Sequence, residues 1–312
     1  MKIICEREKL LKAINAVVRG VPTRTTMPIL EGIYLQTNSD KLKLTTYDLE
    51  LGIEFVIDAT IEEEGNTVVN ATMFSEIIRR LPDSEIKIEI NQNKLLVIEC
   101  EGSLYKLSTM NPEEFPELPK IDIKNSLEME QIDLRNMIKK TIFAVSNEEN
   151  RPIFTGCLFE VNDKVLNIVA IDGFRMGWVS KILSKETKDF KAVIPGKTLN
   201  EVNKILSDSY DNIKIGISTN QSIFEMENCK IVTRLLDGEF LNYKSVIPQN
   251  WETRIRINKN ILQGCLERVS LISSSSIEKE KKYPVKISID IGKITLSCTN
   301  QTSDAKEEMY IE

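Results

Sequence analysis

The feature that most constrains this chain is an internal repeat. The tripeptide Pro-Ile-Leu at 28–30 recurs as Pro-Ile-Phe at 152–154, an offset of 124 residues. Each copy continues into a strand-like run, a short polar turn and a second strand. That second strand ends at Asp48 in one copy and at Asp172 in the other, again 124 residues apart. Self-similarity at a fixed period indicates copies of one structural unit, so we expect homologous domains in tandem.

The repeat predicts three domains. The first two copies span residues 1–120 and 127–248, and a third copy spans 253–312 but is only about half as long. The chain stops inside the alternating segment 307–312, which resembles the middle of a strand. We therefore expect the third domain to lack its C-terminal half.

Each full copy reads as a helix followed by about three antiparallel strands, taken twice. Segments such as 85–90 and 212–217 alternate apolar and polar residues, which is typical of strands with one buried and one solvated face. The fold class predicted is α+β, with helices packed on antiparallel sheets. The predicted helices are 6–19, 72–81, 131–145, 197–206 and 258–271.

Apolar stripes support these helices. In the first helix, the stripe is expected to end at Gly20, because glycine commonly stops helices. In the third helix, the predicted stripe consists of Ile132, Ile138, Ile142 and Val145.

The composition argues against an enzyme. The chain has no histidine, which removes the commonest general base and most catalytic zinc sites. Neither G-x-x-x-x-G-K-[ST] nor G-x-G-x-x-G occurs, so neither phosphate-binding loop is present. The six cysteines are far apart without a C-x-x-C pair, which favours isolated buried thiols. We expect no catalytic residue, no metal and no cofactor.

A competing interpretation places paired carboxylates at the repeat-equivalent Asp48 and Asp172. Turn residues are the favoured interpretation, since repeat position explains both aspartates without chemistry. The sequence also has no run of about 18 apolar residues, and its start lacks the apolar stretch of a signal peptide. A cytoplasmic protein is therefore expected.

Charge is distributed unevenly along the chain. The whole chain carries −6, whereas the five predicted helices carry +2, +1, +2, +1 and +1, leaving −13 for the remainder. Solvated helix faces often carry lysine for solubility, but five basic helices in an acidic chain are harder to explain that way. Equivalent helices on one common face would create a positive surface that neutralises phosphates without reading bases.

Several short motifs of the chain resemble those of the DNA polymerase III β subunit family, the bacterial sliding clamps. The resemblance covers essentially the whole chain as an ordered set of short motifs. They are Met1-Lys2-Ile3, Thr26-Met27-Pro28-Ile29-Leu30, Tyr47-Asp48-Leu49-Glu50, Asn150-Arg151-Pro152-Ile153-Phe154-Thr155-Gly156, Ile171-Asp172-Gly173-Phe174-Arg175-Met176, and Asp237-Gly238-Glu239-Phe240 leading to Tyr243.

The resemblance implies a DNA-clamp fold, with helices lining the inner face of a ring and sheets outside. It implies a homodimer that encircles double-stranded DNA and tethers the replicative DNA polymerase, giving processivity without catalysis. The other implied partners are a clamp loader and clamp-binding repair and replication proteins.

The resemblance also implies three groups of site residues. The DNA-binding residues are Arg24, Arg79 and Lys197. The peptide-binding pocket consists of Phe154, Ile171, Gly173, Arg175, Met176, Leu241 and Val246. The dimer interface consists of Tyr105 and Leu107 on one side and Leu271 and Ile272 on the other.

The chain departs from the family pattern at several of these positions. The family usually has Thr at Ile171 and His or Tyr at Phe174, and commonly Pro at Leu241 and Arg at Ser245. With a shortened third domain, we expect a mostly monomeric chain at low micromolar concentration. The alternative function is a clamp-like, peptide-binding scaffold that does not close on DNA.

Overall fold

The computed structural model describes residues 1–148, 150–274 and 283–311. The chain divides into two compact units, Met1–Leu241 and Asn242–Glu312. The division into three domains stays a prediction.

The first unit combines helices with antiparallel strands. Its described helices are α1 (Arg7–Val17), α2 (Ala71–Arg80), α3 (Gln131–Lys139) and α4 (Gly196–Ile205). Its described strands are β1 (Lys2–Glu6), β2 (Gly32–Asn38), β3 (Lys41–Tyr47), β4 (Leu51–Asp58), β5 (Thr60–Glu63), β6 (Asn66–Asn70), β7 (Glu85–Ile90), β8 (Leu95–Cys100), β9 (Ser103–Met110), β10 (Asn125–Glu130), β11 (Gly156–Asn162), β12 (Val165–Ile171), β13 (Met176–Ile182), β14 (Phe190–Pro195), β15 (Asn212–Ile217), β16 (Gln221–Glu225) and β17 (Cys229–Arg234).

The strands of the first unit form two sheets. The larger has the strand order β10-β15-β16-β17-β4-β3-β2-β6-β9-β8-β7-β1-β5, and the smaller has the order β13-β12-β11-β14. The two sequence repeats meet inside the larger sheet, where β17 pairs antiparallel with β4 and places Ile231 opposite Ile53. The join continues beyond the strand, since the Arg234 amide donates to the Glu50 carbonyl at 3.0 Å.

Strand alternation places the core under the helices. In β3, Leu42 and Leu44 are fully buried and pack in one cluster with Leu10, Ile14 and Val17 of α1. Burying a leucine side chain contributes about 1.5–3 kcal/mol, so this contact is a major source of stability. The opposite face of the same strands carries polar side chains, as expected for an antiparallel sheet with one solvated face.

The ends of α2 are held by side chains from both directions. Asn70 accepts a hydrogen bond from the Met73 amide at 3.0 Å and so caps the N-terminus of α2. At the other end, the Arg7 guanidinium donates to the carbonyls of Ile78 at 3.2 Å and Arg79 at 2.6 Å. Since the last carbonyls of a helix lack partners within it, Arg7 satisfies two of them and links α2 to α1.

The third helix is shorter than predicted. It ends at Lys139, and Ile142–Ala144 forms a separate 3-10 turn. The buried apolar side chains of α3 are Leu134, Met137 and Ile138. The predicted stripe holds at Ile138, which is fully buried, but Ile142 and Val145 lie beyond the helix. The physical reason is Thr141, whose buried hydroxyl donates to the carbonyls of Met137 at 2.9 Å and Ile138 at 3.2 Å.

In the described part of the second unit, a helix packs on a three-stranded sheet. Helix α5 (Lys259–Ser274) lies on β18 (Lys286–Asp290), β19 (Lys293–Thr299) and β20 (Asp304–Tyr310). β20 covers most of the strand expected at 307–312, although residue 312 lies outside the described residues. Arg268 donates to both carboxylate oxygens of Glu307 at 2.6 Å, which holds the pKa of Glu307 at about 2 and ties α5 to β20.

The structure confirms the α+β class of helices packed on antiparallel sheets. The six cysteines are free and buried, as the sequence predicted. Burial raises the pKa of the Cys157 thiol to about 12, so this thiol stays protonated and acts as a small apolar group. No helix in the described ranges is long and apolar enough to cross a membrane.

Candidate functional sites

The described helices of the first unit lie side by side in the order α2, α1, α4, α3. Arg7 links α1 to α2, and Arg19, just after α1, forms an ion pair with Glu201 of α4 at 3.2 Å. A cleft of about 670 Å³ separates α1 from α4, and Leu11 and Lys204 lie on its two walls. Helix α4 in turn packs against α3. The equivalent helices of the two repeats therefore form one continuous row.

Most cations on this row are neutralised by nearby acids. The ion pairs join Lys9 to Glu6, Arg19 and Lys204 to Glu201, Arg79 and Arg80 to Glu76, Arg135 to Asp208, and Lys197 to Asp48. Three exposed cations, Lys12, Lys139 and Lys140, have no ion pair within the described part of the chain. Among the described residues of the row, these three lysines are therefore the cations most available to a phosphate.

The three predicted DNA-binding residues differ in their surroundings. Arg24 is exposed in the segment before the Pro28–Glu31 turn and has no ion pair among the described residues. Arg79 donates to Glu76 at 2.8 Å, and Lys197 donates to Asp48 at 3.1 Å. The Arg79–Glu76 pair is exposed and contributes only about 0–1 kcal/mol, so a phosphate can compete for Arg79. Lys197 is itself exposed, but the Asp48 side chain that it pairs with is only 8% exposed.

Sequence reasoning missed both ion pairs. Glu76 precedes Arg79 by three residues on one helix, so the first pair was visible in the sequence. Lys197 and Asp48 are 149 residues apart, and only the tertiary structure brings them together.

The two repeat-equivalent aspartates hold equivalent turns. Asp48 Oδ1 accepts from the amides of Glu50 at 3.0 Å and Leu51 at 2.6 Å. Asp172 Oδ1 accepts in the same way from the amides of Phe174 at 3.0 Å and Arg175 at 3.1 Å. Those hydrogen bonds, with the guanidinium of Arg175, lower the pKa of Asp172. Both are turn residues, and the paired-carboxylate interpretation is wrong. Across the described residues, no three potential ligands are grouped to hold a metal ion.

The predicted pocket residues of β12 and β13 meet at one turn. Ile171 ends β12 directly opposite Met176, which begins β13. Gly173 occupies the turn with φ of +90°, which favours glycine. Arg175 donates to Asp172 at 2.8 Å, and its guanidinium lies 5.8 Å from the centre of the Phe143 ring.

A second group of predicted pocket residues surrounds an aromatic pair. The rings of Phe154 and Phe240 meet edge to face, with centres 5.7 Å apart. Leu241 follows directly and is 42% exposed. Phe154 precedes β11, whose Leu158 lies opposite Val169, so both groups lie near the same end of the smaller sheet.

Val246 was predicted as a pocket residue, whereas Phe174 was not. Val246 belongs to the second unit, where it ends a 3-10 turn and is 47% exposed. Phe174, which the sequence marked only as a departure from the family, is 97% exposed at the tip of the turn. Its position after Asp172-Gly173, a sequence typical of a tight turn, was the available signal.

The first predicted dimer residues lie on a strand that is open along one side. Residues 103–108 of β9 pair with β8, whereas pairing with β6 begins only at Thr109 and Met110. Within the described sheet, the outer backbone edge of residues 103–108 has no neighbouring strand. Tyr105 is 41% exposed on this edge.

The second pair of dimer residues lies at the end of α5. Leu271 is 66% exposed. Ile272 packs partly into the core of the second unit, and its carbonyl accepts a hydrogen bond from Asn300 at 3.0 Å.

Two family profiles match the chain. The profile described as the N-terminal domain of the DNA polymerase III beta subunit matches residues 1–119, and the profile described as its central domain matches residues 128–242. Among curated relatives, a beta sliding clamp of Halalkalibacterium halodurans is 30% identical over 98% of this chain and 86% of its own length. A beta sliding clamp of Bacillus subtilis is 33% identical over 88% of this chain and 75% of its own length.

Solved structures agree with these matches. A DNA polymerase III beta subunit from Eubacterium rectale has a TM-score of 0.93 at 35% identity, covering 100% of this chain and 84% of its own. The Bacillus subtilis polymerase sliding clamp has a TM-score of 0.93 at 30% identity with the same coverage. A Pseudomonas aeruginosa clamp bound to griselimycin has a TM-score of 0.92, again covering 100% of this chain and 84% of its own. Its 24% identity supports the fold alone.

Proposed function

Since the chain belongs to the DNA polymerase III beta subunit family, it is a non-catalytic DNA sliding clamp that tethers the polymerase, and we propose that duplex DNA contacts the row α2, α1, α4, α3. The observation that carries this proposal is the row itself, with its exposed cations on rigid helices. The alternative, a scaffold that does not close on DNA, is not favoured by the matches.

The proposed contact is electrostatic and independent of base sequence. Arg24, Lys12, Lys139 and Lys140 lead the set of phosphate contacts because no acid within the described residues neutralises them. Arg79 and Lys197 contribute less, since each must first leave a carboxylate. Contacts to phosphates position a protein on the duplex without reading sequence, which suits a protein that slides.

The double variant Lys139→Gln, Lys140→Gln tests this contact. Binding to linear duplex should weaken, and the slope of log affinity against log salt should become shallower by about 1.8, since each phosphate contact contributes about 0.9. Fluorescence anisotropy over a salt series measures the slope.

The matched control is the variant Lys120→Gln, Lys188→Gln, which removes the same charge from exposed loops of the first unit. Equal slopes in the two double variants, or a strong preference for one DNA sequence, would contradict the helix-row contact.

A peptide-binding pocket is proposed at the end of the smaller sheet, where partner proteins would dock. Its supports are the Ile171–Met176 pair, the Phe154–Phe240 pair and the Arg175 cation beside them. Apolar anchors surrounded by a few polar groups suit an extended peptide with aliphatic or aromatic side chains. Leu241 remains a proposed member, and Val246, in the second unit, stays a prediction from the sequence. The proposed partners are the replicative polymerase, a clamp loader, and other clamp-binding repair and replication proteins.

A homodimer is proposed through the open edge of β9. An unpaired strand edge offers amides and carbonyls to a second chain, and Tyr105 and Leu107 lie on it. Leu271 and Ile272 are the proposed opposite side. In a two-subunit ring each such contact is made twice, so weakening one side weakens both junctions.

The variant Tyr105→Asp tests this edge. The wild-type chain is expected to show a dimer fraction that rises with concentration. In the variant that fraction should vanish, because a carboxylate would be desolvated at the junction. Sedimentation velocity measures it, with Tyr210→Asp, at a 77% exposed tyrosine elsewhere in the first unit, as control. An unchanged dimer fraction in Tyr105→Asp would remove β9 from the interface.

A further inference from the structure

A separate cleft lies on the sheet face opposite α1. It has a volume of about 440 Å³ and lies between the strands β2, β3 and β4 and the segment 112–118. Register places Tyr34, Thr45 and Glu54 side by side across the three strands. Thr46, the next residue along β3, points the other way and donates to the Val17 carbonyl next to α1, which confirms that Thr45 faces away from the helices.

The floor of this cleft contains a buried hydroxyl, that of Thr45. Thr45 is 4% exposed and lines the cleft. Its Oγ1 has no hydrogen-bond partner within the described part of the chain. Buried polar groups in folded proteins are almost always hydrogen-bonded, and an exception marks a place where a further group completes the bonding.

One wall of the cleft is aromatic. The rings of Tyr34 and Phe115 stack with centres 5.3 Å apart and planes 11° from parallel. Tyr34 accepts a hydrogen bond from Asn66 at 3.2 Å, which leaves the Asn66 carbonyl oxygen as an acceptor at the rim. Pro112 and Pro116 extend the apolar wall along the segment.

The net charge of the cleft lies on one side. On the sheet side, Lys43 and Glu54 form an ion pair at 3.4 Å and neutralise each other. On the segment side, Glu113 and Glu117 are exposed and have no ion pair among the described residues. The lining therefore carries an excess of two negative charges beside an uncharged floor and an aromatic wall.

We infer that this cleft binds an arginine side chain presented by a partner protein. An arginine has an apolar stem, which packs along Tyr34, Phe115 and the two prolines. Its planar guanidinium carries five donors and stacks well on aromatic rings, and here it reaches the carboxylates of Glu113 and Glu117. Thr45 and Asn66 supply neutral acceptors. A ligand charged at both ends fits less well, because only one side of the cleft is acidic.

Titration calorimetry of the full chain with a blocked Gly-Arg-Gly peptide tests the inference. We expect saturable binding, with a lower affinity for a blocked Gly-Lys-Gly peptide. A lysine ammonium neither stacks on aromatic rings nor donates two parallel hydrogen bonds to a carboxylate. The double variant Glu113→Gln, Glu117→Gln should weaken binding about tenfold, because hydrogen bonds to charged groups are the strong ones. Thr45→Val, which keeps the shape of the side chain, should weaken binding severalfold without lowering the melting temperature.

The control is Glu99→Gln, which removes an exposed carboxylate from β8 outside the cleft. No saturable binding by the wild-type chain, or equal binding by the double variant and the control, would overturn the inference. Ethylguanidine, a small guanidinium compound without a second charge, provides the other arm. If it binds as tightly as the arginine peptide, the partner-protein assignment is wrong and the cleft takes a small guanidinium compound.

Discussion

The variants Phe154→Asp and Met176→Asp are each expected to lose most binding of a short peptide carrying leucine and phenylalanine anchors. Each change puts a carboxylate among the apolar side chains of the proposed pocket, where Phe154 meets Phe240 and Met176 lies opposite Ile171. Loss of a central apolar anchor costs about 2 kcal/mol or more, which corresponds to at least about a thirtyfold weaker affinity. Titration calorimetry or fluorescence polarisation measures the change.

The control for this pair of variants is Ile182→Asp. Ile182 is an apolar residue at the far end of the same strand, β13, and is 75% exposed. The Ile182→Asp variant should bind the peptide with the affinity of the wild-type chain. Circular dichroism of all three variants separates loss of the pocket from loss of the fold. Unchanged affinity in folded Phe154→Asp and Met176→Asp would place the peptide elsewhere on the clamp.

The variant Gly177→Ala should lower the free energy of unfolding by about 1–3 kcal/mol, because the added methyl has no room. A Cβ at Gly177 would lie 2.8 Å from the Cα of Thr141 and 3.0 Å from its carbonyl oxygen. Both are backbone atoms two residues past the end of α3, so this segment and the strand must separate. Arg175 and Met176 precede Gly177 directly, and peptide binding should therefore weaken as well. Denaturant unfolding followed by circular dichroism measures the first effect.

Gly102→Ala is the matched control for this substitution. A Cβ at Gly102 meets no atom within 4 Å, in the turn between β8 and β9. Replacing a glycine by alanine where the backbone permits it stabilises a protein by about 0.4–1 kcal/mol through the unfolded state. Opposite signs at the two positions are expected. A Gly177→Ala protein as stable as the wild type would show that α3 does not press against β13.

The sequence predicted most of the fold because the fold is periodic. The repeat is visible by comparing two segments 124 residues apart, and the alternation within each strand depends only on neighbours in the chain. Together these patterns predicted the α+β class, and they placed α2 and α4 to within one residue. The predicted helix 131–145 was too long because a threonine can end a helix with its own hydroxyl, which apolar periodicity does not register.

Gly20 lies near the end of the first helix for a different reason from the predicted one. Helix α1 ends at Val17, and Gly20 closes the 3-10 turn Val18–Gly20. The sequence placed a helix stop there because glycine favours left-handed backbone. In the structure, its left-handed freedom is not used, and a Cβ would instead lie 2.5 Å from the Thr46 hydroxyl of β3. Glycine is needed because a strand approaches closely, and that requirement comes from residues 26 positions away.

The sequence by itself determined the repeat, the class of fold, the absence of histidine chemistry and the excess of basic residues on helices. Only the tertiary structure decided the order α2, α1, α4, α3, the pairing of Lys197 with Asp48, and the cleft over Thr45. The reason is the separation along the chain of the residues that each interaction joins. Periodicity and capping act over a few residues, whereas ion pairing and close packing depend on which distant segments the folded chain brings within a few ångströms.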